Sequence, residues 1–140
     1  MKKLNTVLLI DDDKTTNFIT KMLINKAEIT DRIETVLNGQ EALDYLTNTG
    51  KYEKSDNTYP RPMLIFLDIN MPVMDGWEFA EAYHKLTPEQ KGDSKIIMLT
   101  SSLNPDDKER ALKLPAISGF QSKILTMESL TYIMNEYFAD

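Results

Sequence analysis

Residues 63–76 read MLIFLDINMPVMDG. The run 63–67 is apolar without interruption, so it reads as a strand buried on both faces rather than an alternating, half-exposed one. It ends on a carboxylate, Asp68. Pro72 and the Asp75-Gly76 pair then mark a turn and a helix start. The helix that follows, 75–86, places Phe79, Ala80 and Tyr83 on one face. A buried strand feeding an amphipathic helix is the building unit of a parallel sheet with both faces covered.

The same unit recurs on either side. Residues 6–10 form a short apolar strand, followed by a helix over 14–25 with Phe18, Ile19, Met22 and Leu23 on its inward face, capped by Asp13 or Thr15. A weaker strand spans 32–37 and closes on Asn38-Gly39. A helix over 40–47 turns Ala42, Leu43 and Leu46 inward. KIIML (95–99) is a fourth strand, and 105–114 a short helix with proline at its start. A fifth, partly apolar strand spans 117–122. The helix 126–138 turns Leu130, Ile133, Met134, Tyr137 and Phe138 inward. The pattern is (βα)₅, a doubly wound five-stranded parallel sheet whose crossovers are right-handed. The connection 48–61 is long and polar, without clean periodicity, and such loops are uncommon unless functional.

The chain has 140 residues, 41% apolar and 27% charged, which suits one soluble domain with a real core. Its net charge of −6 argues against a phosphate-backbone binder, so no nucleic acid is expected. The absence of cysteine excludes disulfides and thiolate chemistry. The N-terminal lysines precede an apolar run too short for a signal peptide, and no stretch approaches a membrane span. A cytoplasmic, single-domain protein over residues 1–140, with no output domain, is the expectation.

Doubly wound sheets carry their chemistry at the carboxyl ends of the strands. Asp11 and Asp12 follow the first strand, Asp68 the third, Thr100, Ser101 and Ser102 the fourth, and Lys123 the fifth. Two carboxylates 4 Å apart repel by about 4 kcal/mol at an effective dielectric of 20, so an acidic trio there calls for a cation. Oxygen ligands without histidine or cysteine favour a hard ion such as Mg²⁺. A carboxylate can also act as nucleophile and form an aspartyl-phosphate, with a lysine and a hydroxyl holding the phosphoryl oxygens.

These motifs, namely Asp11-Asp12, LDINMPVMDG around Asp68, Thr100-Ser101 after IIML, and Lys123 after GFQS, resemble the receiver domain of two-component response regulators. The resemblance covers nearly the whole chain. It implies a flavodoxin-like sheet in strand order 2-1-3-4-5. It also implies a phosphoacceptor switch at Asp68, charged by a sensor histidine kinase or phosphotransfer protein. Mg²⁺ would be bound by Asp12, Asp68 and the backbone carbonyl of Asn70, with Asp11 acting through water. Thr100, Ser101 and Lys123 would contact the phosphoryl group. Phe120 stands where the family keeps a switch aromatic beside Thr100. Asn70 and Ser102 stand where side chains tune the lifetime of the phosphoryl group. The face made by the fourth helix, fifth strand and fifth helix would change shape to bind a downstream protein. Such a domain acts on itself, by phosphotransfer and slow autodephosphorylation, rather than as an enzyme on a separate substrate.

The chain departs from that family at Ile124, where proline usually follows the lysine. A cis bond before a non-proline residue costs ~3–4 kcal/mol, so the sequence leaves open whether the Lys123–Ile124 bond is cis, as in the family, or trans. The long 48–61 loop and the YPRPMLIFLD entry are also similar to single-domain regulators partnered with phytochrome-type kinases. Asp13 reads as a helix cap, Asp75-Gly76 as turn chemistry, Asp106-Asp107 as a solvated helix face and His84 as a surface residue. Trp77 fits either packing or a partner. Apolar residues on the last helix serve the core or a homodimer. Two rival functions use the same residues. One is an interaction module on the same fold that works without phosphorylation. The other is a haloacid-dehalogenase-type phosphatase with Asp11 as nucleophile beside Asp13 and Thr15, which lacks the acidic motif needed after Lys123.

Overall fold

The computed structural model describes residues 3–53, 61–101 and 104–139. Its five strands are β1 (Val7–Ile10), β2 (Ile33–Val36), β3 (Leu64–Asp68), β4 (Lys95–Thr100) and β5 (Gly119–Ser122). They form one parallel sheet in the order β2-β1-β3-β4-β5, as the motifs implied. Alternation along each strand divides the core. Val7, Leu9, Phe66 and Ile97 face one side, Leu8, Ile10, Ile65 and Met98 the other. Both sides are covered, which is why these strands carry no polar alternation.

Each helix begins where a short polar side chain can occupy its free N–H groups. Asp13 caps α1 (Lys14–Ala27), accepting from the Thr15 N–H at 3.0 Å. Asn38 caps α2 (Gly39–Thr47), accepting from the Glu41 N–H at 2.9 Å. Asp75 and Glu78 cap α3 (Gly76–His84) reciprocally, each side chain accepting the other's backbone N–H. One helical turn, α4 (Pro88–Lys91), follows with Thr87 and Gln90 in the same reciprocal arrangement. Asn104 caps α5 (Pro105–Leu112) and Thr126 caps α6 (Met127–Tyr137). α1 and α6 pack on the first side of the sheet; α2, α3 and α5 pack on the second.

One sequence expectation is corrected here, and one open point is answered. The inward face of α1 is not Phe18, Ile19 and Met22. Those side chains are exposed, Phe18 by 64% and Met22 by 58%, and Asn17, Thr20 and Ile24 are buried instead. The helix is rotated because Asn17 has a backbone partner at the sheet, described below. The Lys123–Ile124 bond, left open by the sequence, is cis. Lys123 is anchored at both its backbone and its ammonium, and Leu125 is buried just beyond.

Part of the 48–61 connection also has structure that its polarity concealed. Asn48 ends α2 in the left-handed region, and a 3₁₀ turn, Gly50–Tyr52, buries Tyr52. The Tyr52 ring meets Tyr45 of α2 edge-on, with centroids 5.3 Å apart. From the other end, Arg61 donates to the carbonyls of Leu46 and Tyr45 and to Asn48 Oδ1, so a cation closes the free carbonyl end of α2. Residues 54–60 lie outside the described residues.

Tyr45 is fully buried, and burial, followed by the charge of Glu34, pushes its phenol up to about 12. A raised phenol lends stability that is complete below the unfolded value near 10 and disappears as the pH climbs through about 12. A shift of about two units corresponds to about 3 kcal/mol. Urea midpoints followed through this alkaline window should fall more steeply for the wild-type chain than for Tyr45→Phe. Parallel slopes would remove Tyr45 as the cause.

Candidate functional site

The strand register aligns Ile10 with Leu67, Asp68 with Leu99, and Thr100 with Ser122. Every strand therefore delivers its last residues to one edge. Asp11 leaves β1, Asp68 ends the neighbouring β3, Thr100 ends β4, and Lys123 follows β5. Asp11, Asp68 and Thr100 are buried, while Asp12 and Ser101 are exposed. Carboxylate oxygens from Asp11, Asp12 and Asp68 lie within 4.8 Å of one another.

Lys123 completes the cluster. Its Nζ is 2.7 Å from Asp11 Oδ2 and 2.9 Å from Asp68 Oδ1, and its backbone N–H donates to the Thr100 carbonyl at 2.8 Å. The ammonium is the positive charge that lets two buried carboxylates share one site. Burial raises the Asp68 carboxyl above its ordinary range; the hydrogen bond from Lys123 opposes this and the Asp11 charge adds to it. Burial would lower Lys123, but hydrogen bonds to Asp11 and Asp68 outweigh it and leave the ammonium raised.

Asp11 is held from three directions. Its N–H donates to the Val36 carbonyl at 3.1 Å, and its Oδ1 accepts the Asp13 N–H at 2.9 Å. Its own carbonyl accepts from Asn17 Nδ2 at 2.9 Å. The sequence reading missed Asn17. The signal available was the spacing of Asn17, Thr20 and Ile24, which also fits one helical face.

The turn after Asp68 is tight. The Met74 N–H donates to the Pro72 carbonyl at 2.9 Å around Val73, whose φ is 74°. A β-branched residue in that region stores about 1–3 kcal/mol of strain, a feature that clusters at functional sites. Gly76 closes the turn, its N–H donating to the Ile69 carbonyl at 2.8 Å. A Cβ on Gly76 would press on the Asp68 carbonyl and stand 2.9 Å from Ile69 Cα, so only glycine lets α3 start this close to Asp68.

The remaining expected residues fall nearby. Asn70 is exposed in the turn after β3, and Phe120 is half-buried in β5 opposite Met98, against the α5 side of the core. Ser102 lies outside the described residues. His84 is exposed at the opposite end of α3 from Asp75. Trp77 packs against the core, and the Arg110 guanidinium of α5 lies 4.2 Å from its ring centroid.

The description of the response regulator receiver domain matches residues 7–135. The chain belongs to that family. This receiver is 34% identical to the response regulator Rcp1 of Synechocystis over 101 residues, covering 72% of this chain and 65% of the relative. It superposes on a two-component response regulator from Cytophaga hutchinsonii with a TM-score of 0.84 at 30% identity, covering 99% of this chain and all of that one. The phosphorylated cyanobacterial phytochrome response regulator RcpA shares the fold, with a TM-score of 0.77 at 24% identity, over 96% of this chain and 94% of the other. Receiver domains are the phosphoacceptors of two-component signalling. They work with histidine kinases or phosphotransfer proteins and with downstream targets, and they typically bind Mg²⁺ at an acidic pocket. The Asp11, Asp12 and Asp68 oxygens suit that ion, being hard donors only and close enough to share it. Among the described residues, no helix is long and apolar enough to cross a membrane.

Proposed function

We propose that this receiver takes a phosphoryl group onto Asp68 from the phosphohistidine of a sensor kinase or phosphotransfer protein. The observation that carries the reading is the placement of Lys123 Nζ between Asp11 and Asp68 at the carboxyl edge of the sheet. In the transfer, an Asp68 carboxylate oxygen forms the new O–P bond while the P–N bond breaks and its electron pair returns to the imidazole. Positioning and charge do the work. Asp12, Asp68 and the Asn70 carbonyl would hold Mg²⁺, with Asp11 acting through water. When bound, the ion offsets negative charge on the phosphoryl oxygens. The chemistry is spent on the chain itself rather than on a released product.

Lys123 already spans the two acids, so it has only to turn from carboxylate to phosphoryl oxygen. Thr100 and Ser101 stand at the adjoining strand end to meet the same group. The docking partner is a protein: Val73, after Asp68, is 82% exposed, and Ile124, after Lys123, is 51% exposed, which leaves apolar side chains on both flanks of the acids. The phosphoryl group adds roughly −2 charge. Thr100 moves toward it, Phe120 takes the space released, and the face made by α5, β5 and α6 changes for a downstream partner. The switch is a two-state equilibrium biased by local charge.

Peptide mapping by mass spectrometry after incubation with a small acyl-phosphate donor and Mg²⁺ tests this. The expected product carries its phosphoryl group on the peptide containing Asp68, and NMR signals of residues 100–125 shift with it. An unmodified chain overturns the proposal, and shifts confined to the neighbours of Asp68 overturn its relay to Phe120.

A further inference from the structure

α1 is turned against its own apolar residues. Asn17 and Thr20 are buried beside Ile24, while Phe18 and Met22 face outward. Each half of that arrangement is costly. An amide taken out of water needs a partner to offset its lost hydration, and a phenylalanine left outside forgoes the gain of burial. Helices that break the local pattern in this way do so where function demands it.

In return, the rotation allows the buried hydrogen bond from Asn17 Nδ2 to the Asp11 carbonyl, at 2.9 Å. That carbonyl belongs to the peptide unit joining Asp11 to Asp12. The sheet holds the preceding unit through the Asp11 N–H on Val36, and the loop holds the Asp11 side chain through the Asp13 N–H on Oδ1, while α1 holds the Asp11–Asp12 unit itself. Rotating it would aim the Asp12 carboxylate elsewhere and would break the Asn17 bond. Thr16, Asn17 and Thr20 also line a cavity of about 10 Å³ under Asp11 and Asp68. A space of that size admits at most one water, so no ligand enters between this face of α1 and the acids.

We infer that Asn17 is a positioning residue of the acid site, fixing the Asp11–Asp12 peptide so that the carboxylates present a preformed seat for a divalent cation. The inference rests on the reading of Asp11, Asp12 and Asp68 as that cation's seat. Groups that orient metal ligands from behind typically account for 10- to 100-fold in affinity.

The test is Mn²⁺ binding to the unphosphorylated chain, read as loss of the free-ion electron paramagnetic resonance signal, beside thermal melts of the same samples. Asn17→Leu, which fills the volume without the amide, should bind Mn²⁺ about tenfold more weakly or worse. Thr20→Val, on the same buried face, should melt at a lower temperature but bind as the wild type does. Asn17→Ala decides the question in the same way if the leucine variant does not fold. Wild-type affinity in a folded Asn17 variant overturns the inference, and so does an equal loss in Thr20→Val. A wild-type chain that does not take up Mn²⁺ overturns the cation seat itself, and the inference with it.

Discussion

Asp68→Asn should incorporate no phosphoryl group from a small donor with Mg²⁺ present, and should fold at least as well as the wild type. The amide has the shape of the carboxylate but no anionic oxygen to attack phosphorus. Stability should hold because burial and the Asp11 charge raise the Asp68 carboxyl. A raised carboxyl is one whose neutral form the fold prefers, so near neutral pH the ionised group weakens the fold relative to an uncharged isostere. Hydroxylamine-sensitive label per chain and the melting temperature are the two readouts. Asp11→Asn supplies the contrast, since it should retain label at a lower rate. Label lost from Asp11→Asn but kept by Asp68→Asn would assign the nucleophile to Asp11, as in a haloacid-dehalogenase-type phosphatase. A chain that takes no label in any form, and whose melting Mg²⁺ with beryllofluoride leaves unchanged, would instead be an interaction module without phosphorylation.

Lys123→Met should lower metal-free stability by about 3 kcal/mol, the cost of leaving a buried charge without its partner. The Lys123 side chain is 14% exposed and its ammonium touches two aspartates whose side chains are 7% and 8% exposed, so solvent takes over little of its role. Methionine keeps much of the stem and removes the charge, which separates electrostatics from packing. Mg²⁺ should then stabilise the variant by more than it stabilises the wild type, because in the variant the acids have no resident cation to displace. Urea unfolding with and without Mg²⁺ measures both quantities. Equal metal-free midpoints would show that Lys123 is not what holds the acids together.

The central strands β1, β3 and β4 were legible because they are buried on both faces, and uninterrupted apolar runs such as 64–67 have few other uses. The site was legible because its residues end strands: Asp11, Asp68 and Thr100 each follow an apolar run, Lys123 follows the partly apolar GFQS, and parallel topology sends such ends to one edge. What stayed hidden depended on partners outside the residue's own element. Periodicity favoured Phe18 and Met22 on α1 because it assigns cost to an amide without knowing that a carbonyl waits for it. The burial of Tyr52 depends on Tyr45 in the preceding helix, which the polar composition of 48–61 concealed. Lys123 is anchored on β4 and on the two acids, and the Lys123-Ile124 dipeptide reveals none of these partners. The turn Pro88–Lys91 is different, since Thr87 and Gln90 carried a readable capping signal.

Trp77 is the only tryptophan in the chain. It sits at the first turn of α3, just past the strained bend that leaves Asp68, and its ring lies under a guanidinium carried by α5. Of that helix only Ala111 is buried, so α5 is lightly seated. Any sliding of α5 would uncover the indole or change the charge above it. The molecule thus carries its own optical gauge between the acidic edge and a neighbouring helix, and unlabelled protein in a fluorimeter can report what happens there.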